Sequence, residues 1–501
     1  MQTLVILAAR QLLHLLHHCF RRYHFRPDVQ IQIDEQGDAK HRHDDQNDQR
    51  RAALDQQLTQ HRALIFDRRE DETRHEFLLE ILARPRRYCQ SRFCLGPVIA
   101  YSELKVRALA IRRRRPSFPD NRSPLKMKFH VPLKRVVDDS YDIAIGRGLF
   151  ATMAHDVAHG ILPGANRIAL VADEKVASLY AHEALKALNA AGVHKVTLFT
   201  FPAGEIYKTR ETKAKLEDDM LAAGFNRDSG LIALGGGVVS DLAGFAAGTF
   251  GRGIPFLTYS TTLLSAADAS VGGKTAVDTP AATNLIGLFN QPRKVYIDID
   301  TWKTLPAREI RSGLAETIKH ACLADADFFL WLEKHIADIA SPKTCALDAA
   351  ACEHIAWKNC EIKQSVVVRD ERESNLRQVL NLGHTAGRAL ETLMGYELLH
   401  GECVAIGLAV QCAIARQLGT ISADDEKRVI ALLAACGLPM RVPERIPVAE
   451  LVAKMHTDKK SRGGRIRFVL MHGIGHMKEF DGGSYSIALD ESFLEDVIGS
   501  M

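Results

Sequence analysis

The 501-residue chain is 46% hydrophobic and 25% charged, which excludes wholesale disorder and leaves room for two or three domains. No uninterrupted apolar run approaches the roughly 18–20 residues of a membrane span, so a helical integral membrane protein is excluded. The net charge of +4 divides unevenly: residues 1–126 carry 24 Lys and Arg against 16 Asp and Glu, and the remainder carries 41 against 45, so the main body is slightly acidic and nucleic acid is not an expected partner.

Residues 1–126 hold 21 Arg, 3 Lys and eight of the 21 His, with no sustained apolar period. Three readings apply: a basic nucleic-acid arm centred on Arg112–Arg115, a targeting segment, or an upstream stretch included by an early start codon. Met1 to Pro27 has four Arg and no acid, as targeting requires, but Ser is nearly absent and acids are plentiful from Asp28 onward. Met127 opens a clean new pattern. The third reading is therefore preferred, and no function is built on this extension of doubtful structure.

The stretch MKFHVPLKRVVDDSYDIAIGRGLF from Met127 reads as two strands and a turn. RIALVAD (167–173) is a short apolar strand ending in an acid, followed by a helical stretch, KVASLYAHEALKALNAAG, and a second strand, KVTLFTF. A buried strand from Leu231 to Leu234 runs into Gly235, Gly236 and Gly237, with a helix expected to open near Asp241. Such a turn suits either the approach of a pyrophosphate to a helix start or tight packing alone. Asp173 could hold a ribose hydroxyl or cap a helix. After Pro306 long Ala/Leu-rich patterns take over, including RSGLAETIKHACL and GECVAIGLAVQCAIARQLG. These signals predict an α/β domain with a mostly parallel sheet over 127–305 and a mostly α-helical domain over 306–501.

Two further clusters carry chemistry. In STTLLSAADASVGGKTAVDTPAATNLIG, Asp268, Lys274 and Asn284 surround Gly272 and Gly273, and a Lys after a glycine pair can serve a phosphate or carboxylate. Downstream, His384 and His400 each lie beside a glycine, and Glu316 sits on a predicted helix. Two His and one Glu leave a fourth position open on a catalytic metal, but their spacing is no signature by itself. The ten cysteines are scattered, with no zinc-like or disulfide-like spacing, which points to reduced thiols and a cytoplasmic location.

The ordered set GGGVVSDLAGF, TTLLSAADASVGGKTAV, NLIGLFNQP, TLPAREIRSGLAETIKH, DERESNLRQVLNLGHTAG and HGE resembles the 3-dehydroquinate synthase family over essentially all of residues 127–501. The resemblance implies an NAD-binding α/β domain on a helical metal domain, an active site between them, and a homodimer. It implies conversion of 3-deoxy-arabino-heptulosonate 7-phosphate, a sugar phosphate, to 3-dehydroquinate and phosphate. Glu316, His384 and His400 resemble the ligands of zinc, with cobalt as a substitute. Asp173, Glu205, Lys208, Asp241, Thr261 and Thr262, with the Gly235–Gly237 backbone, resemble the NAD contacts. Lys274, Lys363 and Arg377 resemble the cations facing the substrate carboxylate and ring hydroxyls. Asn284, Lys319, Asn381 and Lys459 resemble the phosphate end, with Arg252 reaching in from a second subunit. Asp268 and Glu373 resemble further polar site residues.

Three positions depart from the family pattern. Arg388 stands where a second histidine is usual, and Arg stays protonated where His would shuttle a proton. Thr283 replaces a Lys, so the two changes together read as a cation moved from one position to the other. Ser260 replaces a Pro. Relatives that make valiolone- or inosose-type rings act on substrates without a carboxylate and would not need the Lys274 and Arg377 pair retained here. That pair favours the dehydroquinate reading over those cyclases; a metal-dependent polyol dehydrogenase would share the architecture alone, and for a catalytically silent relative Arg388 and Thr283 speak weakly while the intact ligand triad speaks against it.

Overall fold

Short runs of Val, Ile, Leu and Ala form strands that can be buried on both faces, and a parallel sheet is the arrangement that uses them. In the computed structural model the described residues are 132–133, 137–339, 348–456 and 465–501; residues 1–126 and Lys459 lie outside them. Eight strands come first: β1 (Asp142–Gly146), β2 (Arg167–Asp173), β3 (Val196–Phe201), β4 (Ser229–Gly235), β5 (Phe256–Ser260), β6 (Lys274–Val277), β7 (Ile286–Phe289) and β8 (Lys294–Asp298). Six of them make a parallel sheet in the order β1-β8-β5-β4-β2-β3, while β6 and β7 form a separate antiparallel pair.

Alternation along β2 assigns its side chains to two cores. Ile168, Leu170 and Ala172 pack with helices α1 (Phe150–Ala158) and α2 (His182–Ala190) on one face. Ala169 and Val171 pack with α3 (Arg210–Ala222) and α4 (Gly237–Thr249) on the other. The helical stretch predicted after β2 contains a π-helical segment at Ala177–Ala181. Of the two strands expected from Met127, the second is β1, and the first falls mostly outside the described residues. Helix α4 starts at Gly237, four residues before the expected Asp241, because Gly236 caps it without any side-chain signal.

From residue 307 the chain is helical: α5 (Ala307–Ala324), α6 (Ala326–Ile339), α7 (Ala349–Val367), α8 (His384–Leu393), α9 (His400–Gln417), α10 (Ala423–Ala435), α11 (Val448–Met455) and α12 (Glu491–Gly499). A short antiparallel pair, β9 (Arg467–Phe468) and β10 (Ile487–Ala488), closes this layer. Its apolar core takes in Trp302, just past the end of β8, and reaches into the sheet layer through Val295 and Ile297. Among the described residues no helix is long and apolar enough to cross a membrane.

Candidate active site

Strand β2 connects to β3 on one side, and β4 then lies on its other side, so the chain reverses direction across the sheet between β2 and β4. Ligands of open parallel sheets bind in the crevice at such a switch point, beyond the carboxyl ends of the strands. A cavity of about 980 Å³ occupies that place, lined by Asp173 at the end of β2, by Gly236 and Gly237 after β4, and by residues of the helical layer opposite. Gly235 serves packing, since a Cβ there would come within 2.5 Å of Val239, whereas Gly236 and Gly237 bring the start of α4 to the cavity. The packing reading holds at Gly235, while Gly236 and Gly237 leave the start of α4 facing the cavity. Asp173 caps the helix that follows β2, its carboxylate accepting from the Val176 N–H at 2.9 Å, and it lines the cavity.

Lys208 is buried among three acids on the same wall. Its ammonium contacts Glu205 and lies 3.5 Å from Asp241 and 3.6 Å from Asp278. One cation for three carboxylates leaves the acids under strain. Burial lifts the Asp241 carboxyl to about 7, with Lys208 opposing and Glu205 adding to the rise. Burial also brings Asp278 to about 6, again against Lys208. Asp278 accepts from the Asn284 N–H at 2.7 Å and so holds that residue at a positive φ of 53°. Thr261 and Thr262 follow β5 and line the cavity, after Ser260, which is buried at the strand end.

Glu316 on α5, His384 at the start of α8 and His400 at the start of α9 each bring one ligand atom within 4.8 Å of the others. The His384 Nε2 and His400 Nε2 atoms lie 3.5 and 3.4 Å from the same Glu316 oxygen, Oε1. Their other nitrogens face acceptors: His384 Nδ1 meets the Leu382 carbonyl at 3.1 Å, and His400 Nδ1 meets Glu391 at 3.2 Å. Both rings thus aim Nε2 inward, the orientation of metal-ligating histidines. Neither oxygen of the fully buried Glu316 makes a hydrogen bond of normal geometry, which suits a carboxylate whose partner is a cation. Burial works to raise the Glu316 carboxyl, but Lys319 and His384 outweigh it and hold the group below the usual range. This donor set fits a zinc-type ion with an open position toward the cavity.

The remaining predicted residues fall into a wall and a layer behind it. Lys274, Glu373, Asn381, Arg388, Asn284 and Asp268 line the cavity. Glu373 joins two of them, accepting from Lys274 at 2.6 Å and from Asn381 at 2.7 Å. Burial draws the Lys274 ammonium down to about 8, Glu373 opposing. Lys363 stands behind Asp268, at 2.8 Å. Arg377 is not on the wall: it is buried, donating to the Gly272 carbonyl at 2.8 Å and to that of Glu371. Lys319 lies with Glu316 and 3.8 Å from Asp268, beside the candidate ligand set. Arg252 sits in an exposed turn beyond the far end of α4, off the cavity lining. Arg388 brings a cation to the wall, and Thr283 is not part of it.

Sequence reasoning missed Glu391, although its place two turns after His384 on α8 is a readable signal. It also missed Asp370, which accepts from the N–H groups of Ser374, Asn375 and Arg377 and so shapes the loop carrying Glu373. No local pattern announces that loop.

Comparison with known proteins decides the family. A model of the 3-dehydroquinate synthase N-terminal region matches residues 198–312, and a model of its C-terminal region matches residues 313–461. The 3-dehydroquinate synthase of Pelobacter propionicus is 46% identical over 339 residues, covering 68% of this chain and 92% of that protein. The chain belongs to the 3-dehydroquinate synthase family. The family member of Desulforamulus reducens is 44% identical over 319 residues, covering 64% of this chain and 87% of that protein. Among solved structures, the 2-epi-5-epi-valiolone synthase ValA of Streptomyces hygroscopicus subsp. jinggangensis 5008, with NAD+ and Zn2+ bound, is 28% identical with a TM-score of 0.64, covering 74% of this chain and 99% of that one.

Proposed function

We propose that the chain converts 3-deoxy-D-arabino-heptulosonate 7-phosphate to 3-dehydroquinate and phosphate, with NAD and a zinc-type ion as cofactors. The observation that carries this is the Glu316–His384–His400 set, whose two histidines line the same cavity as the Gly236–Gly237 helix start, in a chain of this family. When bound, NAD takes up and returns a hydride, and the metal polarises the alcohol that loses it. The chain's own residues do the rest. Gly236, Gly237, Asp173 and the Lys208 cluster would hold the dinucleotide at the sheet side. Lys274, steadied by Glu373, is the cation for the substrate carboxylate, with Arg377 stiffening Gly272 behind it. Arg388, Asn284 and Asn381 offer donors to the phosphate, a group that can itself accept the proton during its elimination.

The reading extends to a homodimer in which Arg252 serves a neighbouring site, since it is exposed and off the cavity of its own chain. It extends also to a reducing, cytoplasmic compartment, supported by six buried free cysteines among the described residues. The residue ranges 127–305 and 306–501 are proposed as the NAD-binding and metal-binding layers. The test is turnover: purified protein with NAD and zinc, phosphate release followed in time, and the product identified by NMR. Dehydroquinate with steady turnover supports the assignment. Turnover of sedoheptulose 7-phosphate alone would favour the valiolone-type reaction of the relative with 28% identity.

A further inference from the structure

Glu316 belongs to two clusters. Besides the set with His384 and His400, Asp268, Glu316 and His320 bring one ligand atom each within 4.8 Å of one another. His320 lies on α5 one turn after Glu316 and is fully buried. Its proton is fixed by a chain of hydrogen bonds. Thr317 Oγ1 donates to the Gly313 carbonyl at 3.3 Å and therefore accepts from Asn359 Nδ2 at 3.0 Å. That leaves Asn359 Oδ1 to accept from His320 Nδ1 at 2.9 Å. His320 Nε2 then carries a bare lone pair, buried and without a hydrogen-bond partner.

Two carboxylates and a bare imidazole nitrogen are acceptors with no donor among them, and such a buried group calls for a cation. Lys363 pairs with Asp268 at 2.8 Å from behind, and the cation shared between Asp268 and Glu316 is Lys319. Its fully buried ammonium touches Glu316 Oε2 and lies 3.8 Å from Asp268 Oδ1, while Glu316 Oε1 faces the two metal-site histidines. A carboxylate shared between two cations is the pattern of two-metal sites, where the ions stand about 3.5–4 Å apart.

We propose that Asp268, Glu316 and His320 form a second cation site beside the first, that the Lys319 ammonium fills it as a built-in cation, and that Lys319 thereby limits the chain to one metal ion. Lys319 is in this role a positioning residue: it occupies Oε2 and leaves only Oε1 of Glu316 for the metal. The inference rests on the metal reading of the Glu316–His384–His400 set, and the experiment separates the two.

The full chain, Lys319→Ala, Lys319→Gln and the double variant Lys319→Ala/His320→Ala are loaded with Co2+ or Zn2+ and dialysed. Metal per chain is then counted by atomic emission, with circular dichroism to follow folding. The expected counts are one for the unaltered chain, two for each single variant and one for the double variant. Folded single variants that keep one ion overturn the proposal while leaving the first site intact. An unaltered chain that binds none overturns the first site. Single variants that fold only when supplied with the metal support the proposal, because an ion has replaced the ammonium. Failure to fold with metal present overturns it.

Discussion

Both nitrogens of His400 are engaged, Nδ1 by Glu391 at 3.2 Å and Nε2 toward Glu316 at 3.4 Å. A carboxylate on the outer nitrogen fixes the ring and makes the inner one a better ligand, and losing such a partner typically weakens metal binding about 10–100-fold. Glu391→Gln keeps the shape and removes the charge, so it is expected to weaken zinc by that factor in competition with a chromophoric chelator. Unchanged affinity would reduce Glu391 to a packing group. His384→Ala removes a ligand outright and is expected to abolish metal binding and turnover while the circular dichroism spectrum is preserved; a full metal content would strike His384 from the set. Arg388 is the residue at which this chain departs most in charge chemistry. If its part is to hold the phosphate, Arg388→His should alter the rate without abolishing activity, because imidazolium also donates to an anion. Complete inactivity would show that a permanent charge is required there.

The three ligand-bearing helices meet through glycines. A Cβ at Gly407 on α9 would overlap the carbonyl oxygen of Gly383, which caps α8, and one at Gly401 would overlap the Ser312 carbonyl on α5. Backbone therefore packs on backbone where Glu316, His384 and His400 converge, and one methyl group must push the helices apart. Gly407→Ala is expected to cost about 3 kcal/mol of stability and to lower metal content, measured by thermal melts and atomic emission. The Asp370 loop supplies a pH prediction. Three backbone N–H groups hold the Asp370 carboxyl down at about 2 against the opposing effect of burial. A carboxylate depressed in the folded state contributes stability that is full above its ordinary pKa near 4 and is lost as pH falls toward 2. Asp370→Ala should therefore lower the melting temperature at pH 7 and flatten its fall between pH 4 and 2; an unchanged acid limb would leave the loop without this role. Such elements divide by how much of them is local. The strand at residues 167–173 is readable because its apolar run stops at the residue where burial stops, Asp173. The Asp370 loop is not readable, since its meaning lies in where Glu373 and Arg377 end up.

At the scale of the molecule, the sequence carried the sheet-then-helix order, and the motif set carried the family. The Glu316–His384–His400 set itself came through the resemblance, because a separation of 16 positions between histidines specifies nothing until α8 and α9 pack together. Burial of Arg377 escaped for the same reason, because it depends on the glycine turn at Gly272 and the loop after α7, whereas Lys319 follows Glu316 by three residues on α5 and its place there was readable. The shared core has a consequence for unfolding. Val295 and Ile297 of β8 and Trp302 lie in one apolar cluster with the helices from residue 307 onward, so the two layers should lose structure together. All three tryptophans, Trp302, Trp331 and Trp357, fall at or beyond the end of the sheet and report on the helical layer. NAD, which the proposed function assigns chiefly to sheet-side residues, is present at a hundred times its dissociation constant in the test. Binding of that strength stabilises the folded state by about 2.7 kcal/mol, worth about 3–4 °C for a unit of this size. If the layers unfold as one, NAD raises the tryptophan-monitored midpoint by that amount even though the tryptophans sit on the other layer. If NAD shifts only the far-ultraviolet transition and leaves the tryptophan midpoint in place, the two layers unfold separately, and the apolar contact through β8 does not couple them.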